Sequence, residues 1–224
     1  MTPLINHAWD ITPDEAITLQ LWLSKRVVRV DELSTVSKIA GIDVAYHKQN
    51  ATVVASIVVV DAETLEVVER LAYSDVALFP YLPGLFSFRE LPAIIKLFRN
   101  LQTRPDLIIC DGQGIAHPRR FGLASHLGVL FDIPTIGCGK SRYVGDYTPP
   151  AVARGSLSYL VDGTEVIGAA LRTQENINPV FVSIGHKVSL ETACHWVLKA
   201  TRHYRLPETT RLADQYGRHF HENG

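Results

Sequence analysis

The chain has 224 residues, 46% of them hydrophobic and 20% charged, with a formal net charge of −1, which excludes a disordered, collagen-like or small cystine-stapled protein. At ~150 residues per domain the length predicts a single domain, here with an N-terminal helical extension. The most apolar stretch, near Val53–Val60, is far shorter than the ~20 residues that cross a bilayer, and no leader pattern opens the chain.

Residues 12–31 read as a helix opened by Thr12 or Asp14, with Ile17, Leu21 and Leu23 among polar neighbours. The period then changes. Ile39–Tyr46 is an apolar run with one acid in its middle, and Ala51–Val60 is β-branched and almost wholly apolar. Leu65–Tyr73 follows the turn chemistry of Asp61–Thr64 as a third strand. Such short connections predict an antiparallel meander. After the loop Phe79–Gly84, Ser87 opens a helix through Leu101, with Leu91, Ile94, Ile95 and Phe98 at helical spacing. Asp106–Cys110 is a compact strand, 121–130 a helix and Thr135–Cys138 another strand. That is the strand–helix–strand pattern of a parallel crossover. A hairpin follows, Ser156–Val161 and Val166–Leu171 turning at Asp162-Gly163. A strand at Val180–Ile184, a helix after Ser189 and another from Pro207-Glu208 complete the chain. The string predicts an α/β protein: a mixed sheet of antiparallel meander plus parallel strands, flanked by helices, in the order of the ribonuclease H-like fold.

Cys110, Cys138 and Cys194 are odd in number and form no C-x-x-C pair. They read as small core residues of a cytoplasmic protein. Residues 1–112 hold 10 Lys/Arg against 14 Asp/Glu, whereas residues 113–224 hold 12 against 9. A neutral total therefore still allows one basic face to meet a polyanion.

Asp43 lies between Ile42 and Val44, where an unpaired carboxylate is costly unless it reaches an edge, a hydrogen bond or a cation. Asp111 follows Leu107-Ile-Ile-Cys110 and precedes Gly112, at the strand end where ligands of open α/β sheets bind. Either acid alone reads equally as a solvated strand residue or a turn. Glu90 stands three residues after Ser87, the spacing of a helix capping box, which is the better reading of that helix by itself. The triplet changes the weighing, because these three positions converge in a sheet of this order. Converging carboxylates repel unless a divalent cation neutralises them. An all-oxygen set selects a hard ion such as Mg²⁺, with Mn²⁺ as substitute. Lys140, just past the Thr135–Cys138 strand, faces the same sheet end and is placed to stabilise phosphate charge or orient water.

Tyr81 stands between Pro80 and Pro83, with Leu82 beside it. It reads either as a tyrosine packed on the core in a proline turn or as a stiff aromatic that wedges into a base stack. Gly112 and Gly114 let backbone approach a ligand, and Arg119, Arg120 and Arg142 suit phosphate contacts, unless they are merely solvated. Gly139-Lys140-Ser141 is not a Walker A loop, since position 134 is proline, and the G-x-G that starts at Gly112 meets His117 where a third glycine belongs.

Most of these residues lie in segments that together resemble the endonuclease V family, the deoxyinosine 3′ endonucleases. The segments are 41–45, Pro80 to Glu90 (PYLPGLFSFRE), Asp111 to Arg120 (DGQGIAHPRR), 124–128, 134–137, 185–189 and 204–207. The resemblance covers Ile39 to Gln215 and implies a ribonuclease H-like, Mg²⁺- or Mn²⁺-dependent enzyme. Such an enzyme recognises deaminated bases, above all inosine. It cuts the second phosphodiester bond on the 3′ side, leaving 3′-hydroxyl and 5′-phosphate ends. The resemblance implies Asp43 and Asp111 as principal metal ligands, Glu90 as the third acid and Lys140 as the active-site lysine. It implies Tyr81 as the strand-separating wedge and Asp214 as support for the metal site. Gly84, Leu85, Gly112 and His117 are the base-pocket candidates, where backbone groups read the carbonyl and ring N–H of a flipped hypoxanthine. Leu82, Gln113 and Gly139 depart from the common pattern, and Gln113 and Gly139 bear on base preference. The expected partner is double- or single-stranded DNA containing inosine, and the protein a monomer without membrane attachment. A non-catalytic lesion-binding module and a ribonuclease for inosine-containing RNA are the alternatives.

Overall fold

In the computed structural model, which describes residues 1–46 and 51–223 with side chains through Phe220, the apolar runs pair as their short connections require. Strands β1 (Lys38–Tyr46), β2 (Thr52–Asp61) and β3 (Val67–Val76) form the antiparallel meander. Chain order then gives α2 (Phe86–Arg99), β4 (Leu107–Cys110), α3 (Leu123–Phe131) and β5 (Thr135–Gly139), preceded near the N-terminus by α1 (Pro13–Ser24). β4 pairs parallel to both β1 and β5. β6 (Leu157–Asp162), β7 (Glu165–Leu171) and β8 (Val180–His186) extend the sheet, and α4 (Leu190–Lys199) and α5 (Glu208–Asn223) close the described chain. The eight strands run β3-β2-β1-β4-β5-β8-β7-β6, the mixed sheet of the ribonuclease H-like fold.

Alternation along the strands divides the core. Ile42, Ile57 and Cys110 face Leu91, Ile94 and Phe98 of α2 and Leu127 of α3. Ile39, Val58, Ile109 and Ile136 face Ala193 and Val197 of α4 and Ala213 of α5. Removing such area from water is worth about 25 cal/mol per Å², so these two layers, not the edges, carry most of the stability. Gly41 permits the second layer. A Cβ there would stand 2.1 Å from the Thr209 backbone carbon, so only glycine lets α5 lie on β1.

Two local expectations fail. The first helix ends at Ser24 and not at 31. It opens with a capping box between Thr12 and Glu15 and has Pro13 in its first turn. Beyond it stand the β-branched Val27, Val28 and Val30. There the chain is drawn to β8 instead, with the Val28 N–H donating to His186 Nδ1 at 3.1 Å and the Lys187 N–H donating to the Val28 carbonyl at 2.8 Å. The capping box of α2 does not form either. The helix starts at Phe86, two residues ahead of the start that a Ser87 cap implies, and Leu85 caps it without a side-chain bond. Ser87 is therefore inside the helix, where its Oγ lies 2.9 Å from Nδ1 of buried His126. Glu90 is thereby freed from a capping role.

Candidate active site

β1, β4 and β5 run parallel, so their carboxyl ends share one edge of the sheet. Ile42 is in register with Cys110, and the Asp111 N–H donates to the Ile42 carbonyl at 3.1 Å. Asp43 and Asp111 are thus neighbours across adjacent strands, and their carboxyl groups hydrogen-bond. Asp214, on α5, reaches the same spot because α5 lies on β1. Lys140 follows β5 and pairs with the Asp111 carboxylate.

Glu90 arrives from the opposite layer. Its Oε1 accepts a 2.5 Å hydrogen bond from the Tyr46 hydroxyl. Tyr46 carries no motif, but it stands three residues after Asp43 on one strand. An odd offset sends it to the other face, toward α2. That parity is the signal by which sequence reasoning could have found it.

The electrostatics follow from crowding. Burial, then the charge of Asp111, then their shared hydrogen bond push the Asp43 carboxyl well above the carboxylate range, and Lys140 opposes them. Burial likewise raises Glu90 to about 7, against the pull of the Tyr46 bond. Burial alone would lower the Lys140 ammonium, but its bond to Asp111 and the acids around it outweigh that and hold it above its ordinary value. Asp43 and Asp111 thus crowd each other at one edge, with Lys140 as the cation paired to Asp111. Among the described residues no three Asp, Glu, His or Cys side chains stand close enough, as arranged, to cage an ion. The donor set is nevertheless all oxygen, crowded and short of positive charge, and it fits a hard divalent cation.

A cavity of about 340 Å³ opens beside the acids. Glu90, Asp111 and Lys140 line one side, and Gly84, Gly112 and His117 line another. Leu85 does not line it, since its side chain packs with Ala16, Phe79 and Phe88. Gln113 does, its Nε2 bonded to the Ser141 carbonyl at 3.1 Å while its Oε1 is buried without a partner. A Cβ on Gly139 would meet that Nε2 at 2.3 Å, so the two departures from the common pattern fit each other.

Tyr81 is 65% exposed, which excludes a tyrosine packed on the core. Its ring rests 4.8 Å from that of Phe86, on a loop where Pro80 and Pro83 are exposed and Leu82 is half-buried. The three arginines are not free cations. Arg119 donates to the Gly84 carbonyl at 2.9 Å and to Gln20 Oε1 at 2.5 Å. Arg120 is locked between Glu165 at 2.7 Å and Asp162 at 2.8 Å. Arg142 binds the Gly145 carbonyl at 2.6 Å and Asp146 at 2.5 Å.

Comparison with known proteins places this geometry. A family model described as Endonuclease V matches residues 22–215. The Endonuclease V of Trichormus variabilis is 48% identical over 211 residues, 93% of this chain and 95% of that protein. The crystal structure of the Endonuclease V from Streptomyces avermitilis superposes with a TM-score of 0.92 at 45% identity, covering 99% of this chain and 98% of that one. A Ciona intestinalis Endonuclease V, solved with a 23mer DNA containing an inosine followed by a ribo-adenosine, gives 0.85 at 29% identity, covering 95% and 99%.

Proposed function

The chain belongs to the endonuclease V family, and on that footing we propose that it hydrolyses DNA beside deaminated bases, chiefly deoxyinosine. The bond cut is the second phosphodiester on the 3′ side of the lesion, leaving 3′-hydroxyl and 5′-phosphate ends. The observation that carries this reading is the meeting of Asp43, Asp111, Asp214 and Lys140 at one sheet edge, beside a cavity walled by backbone glycines.

Each group has a part that its position supports. Asp43 and Asp111 would hold Mg²⁺, or Mn²⁺ in its place, with Glu90 and Asp214 completing the acidic surround. The ion would supply Lewis acidity at the phosphoryl oxygen and a lowered pKa for water. Lys140, held positive by its acids, stabilises charge on the phosphate or orients the attacking water. Gly112 offers backbone where a hypoxanthine carbonyl and ring N–H must be read, Gly84 lines the same cavity, and His117 stays neutral because burial lowers it to about 4. Tyr81, exposed on its proline-stiffened loop, fills the gap left in the stack. The acids and Lys140 meet within a single chain, so one copy suffices for the site, and we read the protein as acting as a monomer. Three buried free cysteines support work in the reducing cytoplasm.

A duplex with one deoxyinosine, incubated with protein and Mg²⁺ and mapped at nucleotide resolution, tests this. A cut one nucleotide beyond the lesion's 3′ neighbour bond, abolished by EDTA, is expected. Tight metal-independent binding without product marks a binding module instead. Preference for an inosine-containing RNA in competition marks a ribonuclease.

A further inference from the structure

Gln20 is 1% exposed on a helix whose neighbouring positions face water, and it precedes the residues matched by the family model. Its Nε2 donates to the Gly84 carbonyl at 2.9 Å and to the Phe121 carbonyl at 3.1 Å. Its Oε1 accepts from Arg119 Nε. Arg119 Nη2 and His117 Nε2 also reach the Gly84 carbonyl, at 2.9 and 3.0 Å. The His117 tautomer follows from its other nitrogen, because Nδ1 accepts the Arg119 N–H at 3.1 Å, leaving the proton on Nε2.

Three donors thus converge on one buried carbonyl, that of a glycine at φ +81°. A carbonyl oxygen has two lone pairs, so this is far more fixing than one peptide needs for mere satisfaction. The peptide so held joins the Pro80–Gly84 loop to α2. Its N–H, from Leu85, donates to the Leu82 carbonyl at 3.0 Å and closes the turn. Orienting this one plane therefore sets both the loop that bears Tyr81 and the Gly84 wall of the cavity. Gln20 and Gly84 line that cavity together.

We infer that Gln20 is a positioning residue for lesion recognition, acting from the N-terminal helix through Arg119 and the Gly84 carbonyl. Arg119 is then a member of this clamp and not a phosphate contact. The inference rests on the cleavage proposed above, and the roles separate experimentally. A phosphate contact weakens binding to every DNA alike and its loss flattens the salt dependence. A clamp residue weakens discrimination of the lesion and leaves the salt dependence alone.

The test compares wild type with Gln20→Met, which keeps the volume and removes every bond. KM and kcat are measured on an inosine duplex in Mg²⁺. Affinity by fluorescence anisotropy is measured on inosine and undamaged duplexes across a salt series, with Tm recorded. Gln20→Met should raise KM on the inosine duplex about tenfold, the loss expected from one or two hydrogen bonds to a shared acceptor. kcat, affinity for undamaged DNA and salt slope should stay within about twofold of wild type on the same reasoning. Arg119→Met should copy this pattern, and the double variant should lose little more than either. An unchanged inosine preference in Gln20→Met, or equal loss on both duplexes, overturns the inference. So does an effect confined to Tm. If Gln20→Met fails to fold, Arg119→Met decides by the same ratio. A wild type that does not cut the inosine duplex sinks the functional reading itself, and is distinguishable from either outcome.

Discussion

Asp111 is the residue on which the chemistry turns, because its charge acts on Asp43, Glu90 and Lys140 alike. It hydrogen-bonds with Asp43, pairs with Lys140 and raises Glu90. Asp111→Asn keeps the shape, removes a charge and relieves the repulsion. Cleavage of an inosine duplex should fall by about two to three powers of ten or more, while Tm in EDTA stays level or rises. Adding Mg²⁺ should raise the wild-type Tm, since an ion bound only by the folded state stabilises it by mass action, and should leave the variant unmoved. Calorimetric scans with and without the ion check both statements. Tyr81→Ala is the complementary case. The ring is mostly exposed and touches little besides Phe86 and Tyr46, so Tm should hold. Recognition should weaken by roughly 1–3 kcal/mol, the worth of one base–aromatic stack, read as a rise in KM on the inosine duplex.

Among the elements, α2 and α3 are tied to each other and to the N-terminal segment by a buried histidine. His126 Nδ1 lies 2.9 Å from Ser87 Oγ on α2, and its Nε2 lies 2.9 Å from His7 Nε2. Burial, with His7 beside it, holds His126 far below its ordinary value of 6.5. The folded protein therefore keeps it neutral while the unfolded chain protonates it near 6.5. Between those two values the unfolded state binds more protons, so stability is complete above 6.5 and is lost as the pH falls below it. Unfolding in urea from pH 7.5 to 5 should show a decline in free energy that is smaller in His126→Gln than in wild type. None of this was legible beforehand, because Ser87 and Glu90 read as a capping pair by local spacing. The helix starts two residues earlier, and Ser87 finds its partner 39 positions away. The strands were legible for the opposite reason. Ile39–Tyr46 and Asp106–Cys110 announce burial by their own composition, and short turns leave few ways to pair them. Asp43 and Asp111 could thus be placed together from the fold order and Tyr46 by its strand parity, whereas Gln20 matters only through partners that no local pattern names.

The molecule as a whole has a formal charge of −1 and must still bind a polyanion. The basic excess of its second half suggested a phosphate-binding rim, yet the cations of that rim are largely paired. Arg120 joins Asp162 and Glu165 and so fastens the loop after Asp111 to the β6–β7 hairpin. Arg142 and Lys140 meet Asp146 and Asp111. A cation already neutralised by a carboxylate releases few counterions when DNA arrives, because it has little charge left to exchange. Each phosphate fully neutralised contributes about 0.9 to the logarithmic salt slope on B-DNA. The slope for undamaged duplex should therefore be shallow, on the order of 2–4 by that measure. Arg120→Met should leave both slope and affinity unchanged. It should cost stability instead, since Asp162 loses this guanidinium and Glu165 is left with Arg29, beside a loop held at φ +55°. Anisotropy titrations from 50 to about 200 mM salt, the range over which such slopes are read, paired with urea unfolding, separate the outcomes. A slope that drops by about one in Arg120→Met would mean that the guanidinium leaves its acids for a phosphate when DNA binds.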